Sequence, residues 1–99
     1  MILTKDYNEK KLIVAIEGRI DTITSQELDN EINNELGNFE SLTLDFTGVE
    51  YISSAGLRVL VAIQKKLKAT NVPFIIKNVN DNVNEIFKMS GFDKILTIE

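Results

Sequence analysis

Along the pattern of apolar and polar positions, Leu12 to Ile16 is apolar throughout, with Leu12, Val14 and Ile16 alternating with Ile13 and Ala15 ahead of Glu17-Gly18. Apolar residues on both faces predict a central strand. Ile2 to Tyr7 is a weaker strand, and the Asn8-Glu9-Lys10 link after it suits an antiparallel hairpin but is too short for a parallel crossover.

The period then changes. Thr24-Ser25-Gln26-Glu27 has the pattern of a capping box, with the Thr24 hydroxyl on the Glu27 amide and the Glu27 carboxylate reaching back. Ile23 and Leu28 are spaced as a hydrophobic staple around it. Leu28, Ile32 and Leu36 form one stripe among Asp29, Asn30, Glu31, Asn33, Asn34 and Glu35, and Gly37 is the expected stop. Leu42, Leu44 and Phe46 alternate with Thr43 and Asp45 as a further strand, which Thr47-Gly48 is expected to break.

A helix is predicted from about Ser54 to Ala69, with Leu57, Leu60, Val61, Ile63 and Leu67 as its apolar face. Asn71-Val72-Pro73 stops it. Phe74-Ile75-Ile76 reads as a buried strand parallel to the previous one, because a helix has carried the chain back. Asp81 or Asn82 is the expected cap of a short helix with Val83, Ile86 and Phe87 inward and Gly91 as its stop, and Ile95 to Ile98 is a candidate edge strand. The order β-β-α-β-α-β-α-(β) predicts an α/β fold: one domain over residues 1–99, a mixed sheet of four to five strands packed with helices. A binding site in such a sheet belongs outside the carboxyl ends of the parallel strands.

Composition narrows the chemistry. Among 99 residues there is no Cys and no His, which removes disulfides, thiolate nucleophiles, and the commonest general base and transition-metal ligand. No metal or other cofactor is expected. The 15 acidic residues outnumber the 11 basic ones, giving a net charge of -4, so direct nucleic-acid binding is not expected. The local cluster Lys65-Lys66-Leu67-Lys68 is read as a solvated last-turn face that complements the helix dipole. No window is apolar enough for a membrane span, and the opening residues resemble a strand rather than a leader, so a cytoplasmic protein is expected.

The stretch Asp45-Phe-Thr-Gly-Val-Glu-Tyr-Ile-Ser-Ser-Ala-Gly-Leu-Arg-Val-Leu60 carries the candidate site. With Ser53 as N-cap, Ser54 becomes the first helical residue, beside free backbone N–H groups and about half a unit of positive charge. A phosphate is well accommodated there. Ser is also a common N-cap, so the pair has a purely structural explanation as well. Tyr51 and Ile52, just ahead of the helix, suit a staple or core role.

The same stretch closely resembles the central motif of STAS domains of the anti-sigma factor antagonist type. Glu17-Gly-Arg-Ile-Asp21 resembles that family's second motif, and Met89-Ser-Gly-Phe92 extends the similarity toward the end of the chain. The resemblance implies a non-enzymatic switch, in which the unphosphorylated protein binds an anti-sigma factor serine kinase of histidine-kinase-like fold and frees a sigma factor. It implies that the kinase phosphorylates a serine at this helix start and that a PP2C-type phosphatase restores it.

By position the modified serine is Ser54, with Ser53 as the alternative, since members often carry Asp where this chain has Ser53. Partner contacts are implied for Asp21, Ser53, Ser54, Gly56 and Arg58. Each has a plainer explanation: Asp21 as a turn or helix-entry residue, Gly56 as packing against the sheet, Arg58 as a solvated surface charge. A monomer or weak dimer is expected.

Two other functions compete. One is a STAS interaction subunit of a signalling scaffold or lipid-transport complex without a phosphorylation switch. The other is a receiver-like phosphoacceptor at Asp45. That site needs further acids and a lysine at neighbouring strand ends, for which only Lys77 is a candidate, so Asp45 is read instead as a solvent-face or turn-bonding residue. No Gly-x-x-x-x-Gly-Lys-Ser/Thr loop is present to hold a nucleotide.

Overall fold

A computed structural model describes all 99 residues. The chain runs β1 (Ile2–Asn8), β2 (Lys11–Ile20), α1 (Thr22–Glu35), β3 (Ser41–Ile52), α2 (Ser54–Ala69), β4 (Phe74–Lys77) and α3 (Asp81–Ser90), followed by a 3-10 turn at Phe92–Lys94. The sheet order is β1-β2-β3-β4. β1 pairs antiparallel with β2 through the short hairpin, whereas β2, β3 and β4 are parallel because α1 and α2 return the chain between them. This is the expected mixed α/β sheet with three helices.

Strand alternation decides what is covered. Leu12, Val14, Ile16, Leu42, Leu44, Phe46, Phe74 and Ile76 are buried, while Ile13, Ala15, Thr43, Asp45, Ile75 and Lys77 between them are only half-buried. The buried set joins Leu28 and Ile32 of α1, Leu57, Leu60, Ile63 and Leu67 of α2, and Val83 and Phe87 of α3 in one core. The rings of Phe46 and Phe87 lie 6.3 Å apart and seat α3 on β3. The helices thus cover one face of the sheet and leave the other open.

Several sequence expectations need correction. The N-cap of α1 is Asp21, with Thr24 at the third helical position and the reciprocal bonds of a capping box running between those two residues rather than between Thr24 and Glu27. Ile23 is 72% exposed, so no staple forms with Leu28. The helix ends one residue before Leu36, which is its exposed C-cap, and Ser25 joins Leu28 and Ile32 on the buried face instead. The cap of α3 is Asn80, whose Oδ1 accepts from the Val83 amide at 2.8 Å while its Nδ2 donates to the Val49 carbonyl. Gly91 stops α3 as expected, at φ 77.

β3 does not break at Thr47-Gly48. It continues to Ile52 because register shifts place one extra β3 residue opposite Ala15–Glu17 and another opposite Gly18–Arg19. Gly48 passes close to β2, where a Cβ would lie 2.7 Å from Cγ and 3.1 Å from Cα of Glu17. The glycine therefore permits strand pairing where the sequence suggested a turn. Ile95 to Ile98 forms no strand, only a single parallel bridge between Ile98 and Ile76.

Candidate functional site

β2 and β3 end in register, with Ile20 beside Ile52, and each leads within two residues into a helix. The Ser53 amide donates to the Ile20 carbonyl at 2.8 Å. Asp21 and Ser53, the caps of α1 and α2, thus stand on adjacent rungs at the carboxyl edge of the sheet, where two positive helix ends meet.

Ser53 has extended backbone, φ -86 and ψ 171, and its Oγ accepts from the Gly56 amide at 3.2 Å. Ser54 is the first helical residue, exposed, and its hydroxyl makes no hydrogen bond within the chain. The two adjacent serines therefore differ in chemistry: one oxygen is committed to the helix end and the other is free.

Asp21 is committed in the same way. Its Oδ1 accepts from the amides of Ile23 at 3.0 Å and Thr24 at 2.9 Å, and its own amide donates to Thr24 Oγ1 at 2.8 Å. The Thr24 hydroxyl lies 2.8 Å from the Arg19 carbonyl and 3.0 Å from Asp21 Oδ1. The Thr24 amide and hydroxyl, then the Ile23 amide and Arg19, hold the Asp21 carboxyl below the usual carboxylate range.

Gly56 is buried, and a Cβ there would sit 2.7 Å from Ile52 Cγ1 and 2.8 Å from Ile20 Cγ2. The close approach that this glycine allows is to the chain's own sheet. Arg58 is exposed on the next turn and has no ion-pair or hydrogen-bond partner. It lines a cavity of about 330 Å³ between α1 and α2.

Ile52 is buried as expected, but Tyr51 is not in the core. It is 38% exposed, and the Arg19 guanidinium lies 4.6 Å from its ring centroid. Sequence reasoning gave Ile23 and Tyr51 packing roles and passed over Arg19, yet all three are exposed at this end. A signal existed for the pair: Arg19 and Tyr51 each immediately precede the strand-end isoleucine, on the opposite side of the pleat.

Asp45 lies on the half-buried face of β3 and accepts from the Thr47 amide at 3.0 Å, the Thr47 hydroxyl at 2.6 Å and Asn78 Nδ2 at 3.0 Å. Its carboxyl is held low by these bonds, the Thr47 hydroxyl foremost and Asn78 next, with Lys77 adding to them. The bonds expected of a turn thus form inside the continuous β3 strand and across to Asn78. The lysine cluster closes the far end of α2, where Lys66 donates to Asn33 Oδ1 at 2.9 Å and lies 4.0 Å from Asp29 Oδ1.

A family model described as the STAS domain matches residues 3–99. BtrV of Bordetella bronchiseptica, which carries the name of an anti-sigma factor antagonist, is 30% identical over 99 residues, covering 99% of this chain and 85% of BtrV. The anti-sigma-F factor antagonist RsfB of Mycobacterium tuberculosis is 34% identical over 83 residues, 83% of this chain and 67% of RsfB. Among solved structures, the Bacillus anti-sigma factor antagonist SpoIIAA in its unphosphorylated form superposes with a TM-score of 0.78 at 12% identity, covering 99% of this chain and 87% of that one. Its phosphorylated form matches at a TM-score of 0.77 and 14% identity, over 99% of this chain and 91% of that one. At such identities these matches speak to the fold. The family model over residues 3–99 and the identity to BtrV show that the chain belongs to the STAS domain family, among relatives named anti-sigma factor antagonists.

Proposed function

We propose that the protein is an anti-sigma factor antagonist whose unphosphorylated form binds an anti-sigma factor serine kinase, displacing a sigma factor, and whose binding is switched off by phosphorylation of Ser54. The observation that carries the proposal is the free, exposed hydroxyl of Ser54 at the first position of α2, next to a serine whose oxygen is already used as a cap. The Ser54 Oγ attacks the γ-phosphorus of ATP, the bond to the β-phosphate bridging oxygen breaks, ADP leaves and the hydroxyl proton is released. A PP2C-type phosphatase reverses the modification by hydrolysis.

The added phosphate brings about -1.5 to -2 charges to an end held by two helix caps. The amides at the start of α2 accommodate it locally. A partner surface matched to an uncharged hydroxyl does not, because an unpaired charge in a closing interface loses its hydration. Asp21 and Ser53 shape this end, Gly56 lets α2 sit low enough to present it, and Arg58 and Ser54 supply the polar contacts.

The test is incubation with the anti-sigma factor kinases of the same genome and ATP, followed by mass mapping. Phosphate on Ser54 is expected. If no kinase modifies Ser54 and none binds the unmodified chain, the switch is rejected. Calorimetry on variants provides a second check. Ser54→Asp is expected to weaken kinase binding at least tenfold, about 1.4 kcal/mol, and Ser54→Ala to retain it. Equal affinity for both variants would instead indicate an interaction subunit of a scaffold or lipid-transport complex without a switch.

A further inference from the structure

α1 and α2 leave adjacent parallel strands at the same edge of the sheet, so they run side by side in the same direction. Between them is the cavity of about 330 Å³, lined from α1 by Thr22, Ser25, Gln26 and Asp29 and from α2 by Ala55, Arg58, Val59 and Ala62. Both sets have the spacing i, i+3, i+4, i+7, the rows that a helix presents along one side. The groove begins at the residue following Ser54 and extends about two turns away from it.

Its two charged side chains are incompletely matched. Oδ1 of Asp29 is shielded from solvent yet accepts no hydrogen bond, and the cation beside it, Lys66 Nζ, stands 4.0 Å away and donates to Asn33 instead. The Asp29 side chain is 34% exposed, so with Oδ1 shielded the other carboxylate oxygen is the one within reach of a donor in the groove. Arg58, on the other wall and one turn nearer Ser54, has no partner. The floor between them is formed by short side chains, Ser25, Ala55, Val59 and Ala62.

We infer that this groove seats a helix of the kinase partner. That helix packs an apolar row against Ala55, Val59 and Ala62 and carries a carboxylate facing Arg58. One turn along, about 5 Å away, it carries a lysine or arginine facing Asp29. The inference rests on the proposed kinase binding and adds the second half of its footprint: Ser54 is the switch at one end, and the α1/α2 groove supplies the standing contact. Charge complementarity selects the occupant, since an apolar helix would desolvate Arg58 with no partner and leave Asp29 with only Lys66 at 4.0 Å.

The experiment uses the full chain and the kinase that phosphorylates Ser54, with binding measured by calorimetry and contact mapped by amide chemical shifts. Ala62→Arg, which fills the groove, is expected to weaken binding at least tenfold. Asp29→Asn is expected to weaken it severalfold at low salt, with a smaller difference at high salt. Glu27→Gln, on the other side of α1, is expected to bind as the parent does. Kinase-induced shifts should include Ser25, Asp29, Val59 and Ala62.

If Ser54→Asp weakens binding while folded Ala62→Arg and Asp29→Asn bind normally, the groove is overturned and the switch stands. If Ala62→Arg fails to fold, Asp29→Asn and the shift map decide the matter. Shifts that spare the groove overturn it, and a kinase that does not bind the parent chain at all overturns both proposals.

Discussion

The Ser53 amide donates to the Ile20 carbonyl at 2.8 Å, so the cap of α2 hangs from the strand that delivers the cap of α1. The presentation of Ser54 is therefore a tertiary property, dependent on β2 being in place.

Because Ser53 Oγ satisfies the Gly56 amide whereas the Ser54 hydroxyl satisfies nothing in the chain, the two serines should separate by stability. Ser53→Ala is expected to cost about 1 kcal/mol and Ser54→Ala less than about 0.5 kcal/mol. Urea unfolding followed by circular dichroism measures both.

Gly56→Ala adds a methyl group within 2.7 Å of Ile52 Cγ1 and 2.8 Å of Ile20 Cγ2. Overpacking costs about 1–3 kcal/mol and exceeds the roughly 1 kcal/mol that alanine returns in helix propensity. Net destabilisation of about 1 kcal/mol is expected in the same unfolding measurement, where an ordinary exposed helix position would show stabilisation.

Three carboxyls are held below their ordinary range: Asp21 by the Thr24 amide and hydroxyl, Glu35 by the Tyr7 hydroxyl, and Asp45 by the Thr47 hydroxyl and Asn78. A depressed folded-state value stabilises the fold above the unfolded value near pH 4, and this contribution is lost as pH falls through the folded value. Stability should hold above about pH 5 and decline toward lower pH. Asp45→Asn is expected to make the decline shallower in urea midpoints taken across that range.

The Tyr7 hydroxyl donates to Glu35 Oε1 at 2.6 Å, and Lys5 reaches both Glu31 and Glu35, so β1 is clamped onto α1. Loss of water around the hydroxyl, together with the bond to Glu35, pushes Tyr7 up to about 12. A raised folded-state value stabilises the fold below the unfolded value near pH 10, and this support is lost as pH rises through the folded value. Alkaline difference absorbance should show one late-titrating tyrosine, and Glu35→Gln is expected to move that step downward. An unmoved step would place the cause in burial alone.

The sequence revealed the elements whose signals were local and repeated. β2 was legible from five consecutive apolar residues, and α2 was legible in both position and cap. Where two overlapping patterns used the same residue types, the outcome depended on tertiary contacts. Thr24 could begin a capping box with Glu27 or complete one with Asp21, and the Arg19 carbonyl beside the Thr24 hydroxyl favours the second. Gly48 was read as a break because a glycine's local freedom is visible in sequence, while the approach of Glu17 from another strand is not. At the site, the candidate serines were found by spacing. Their division into one committed and one free oxygen, the Arg19–Tyr51 pair and the cavity beside Arg58 became visible only with the neighbouring strand and helix in place.

The inward residues at the end of β3 are Phe46, Val49 and Ile52, three apart rather than two, because β3 carries two more residues than the part of β2 it pairs with. The direction in which the serines point is accordingly set by counting. Substitutions between Thr47 and Tyr51 that keep the number of residues leave the phase intact, whereas loss of a single residue there would turn the strand half a period. Ser53 would then fall where Ile52 now closes the core, and the serine pair would be turned toward the interior. In this protein the length of a five-residue stretch, more than its composition, keeps the start of α2 on the outside.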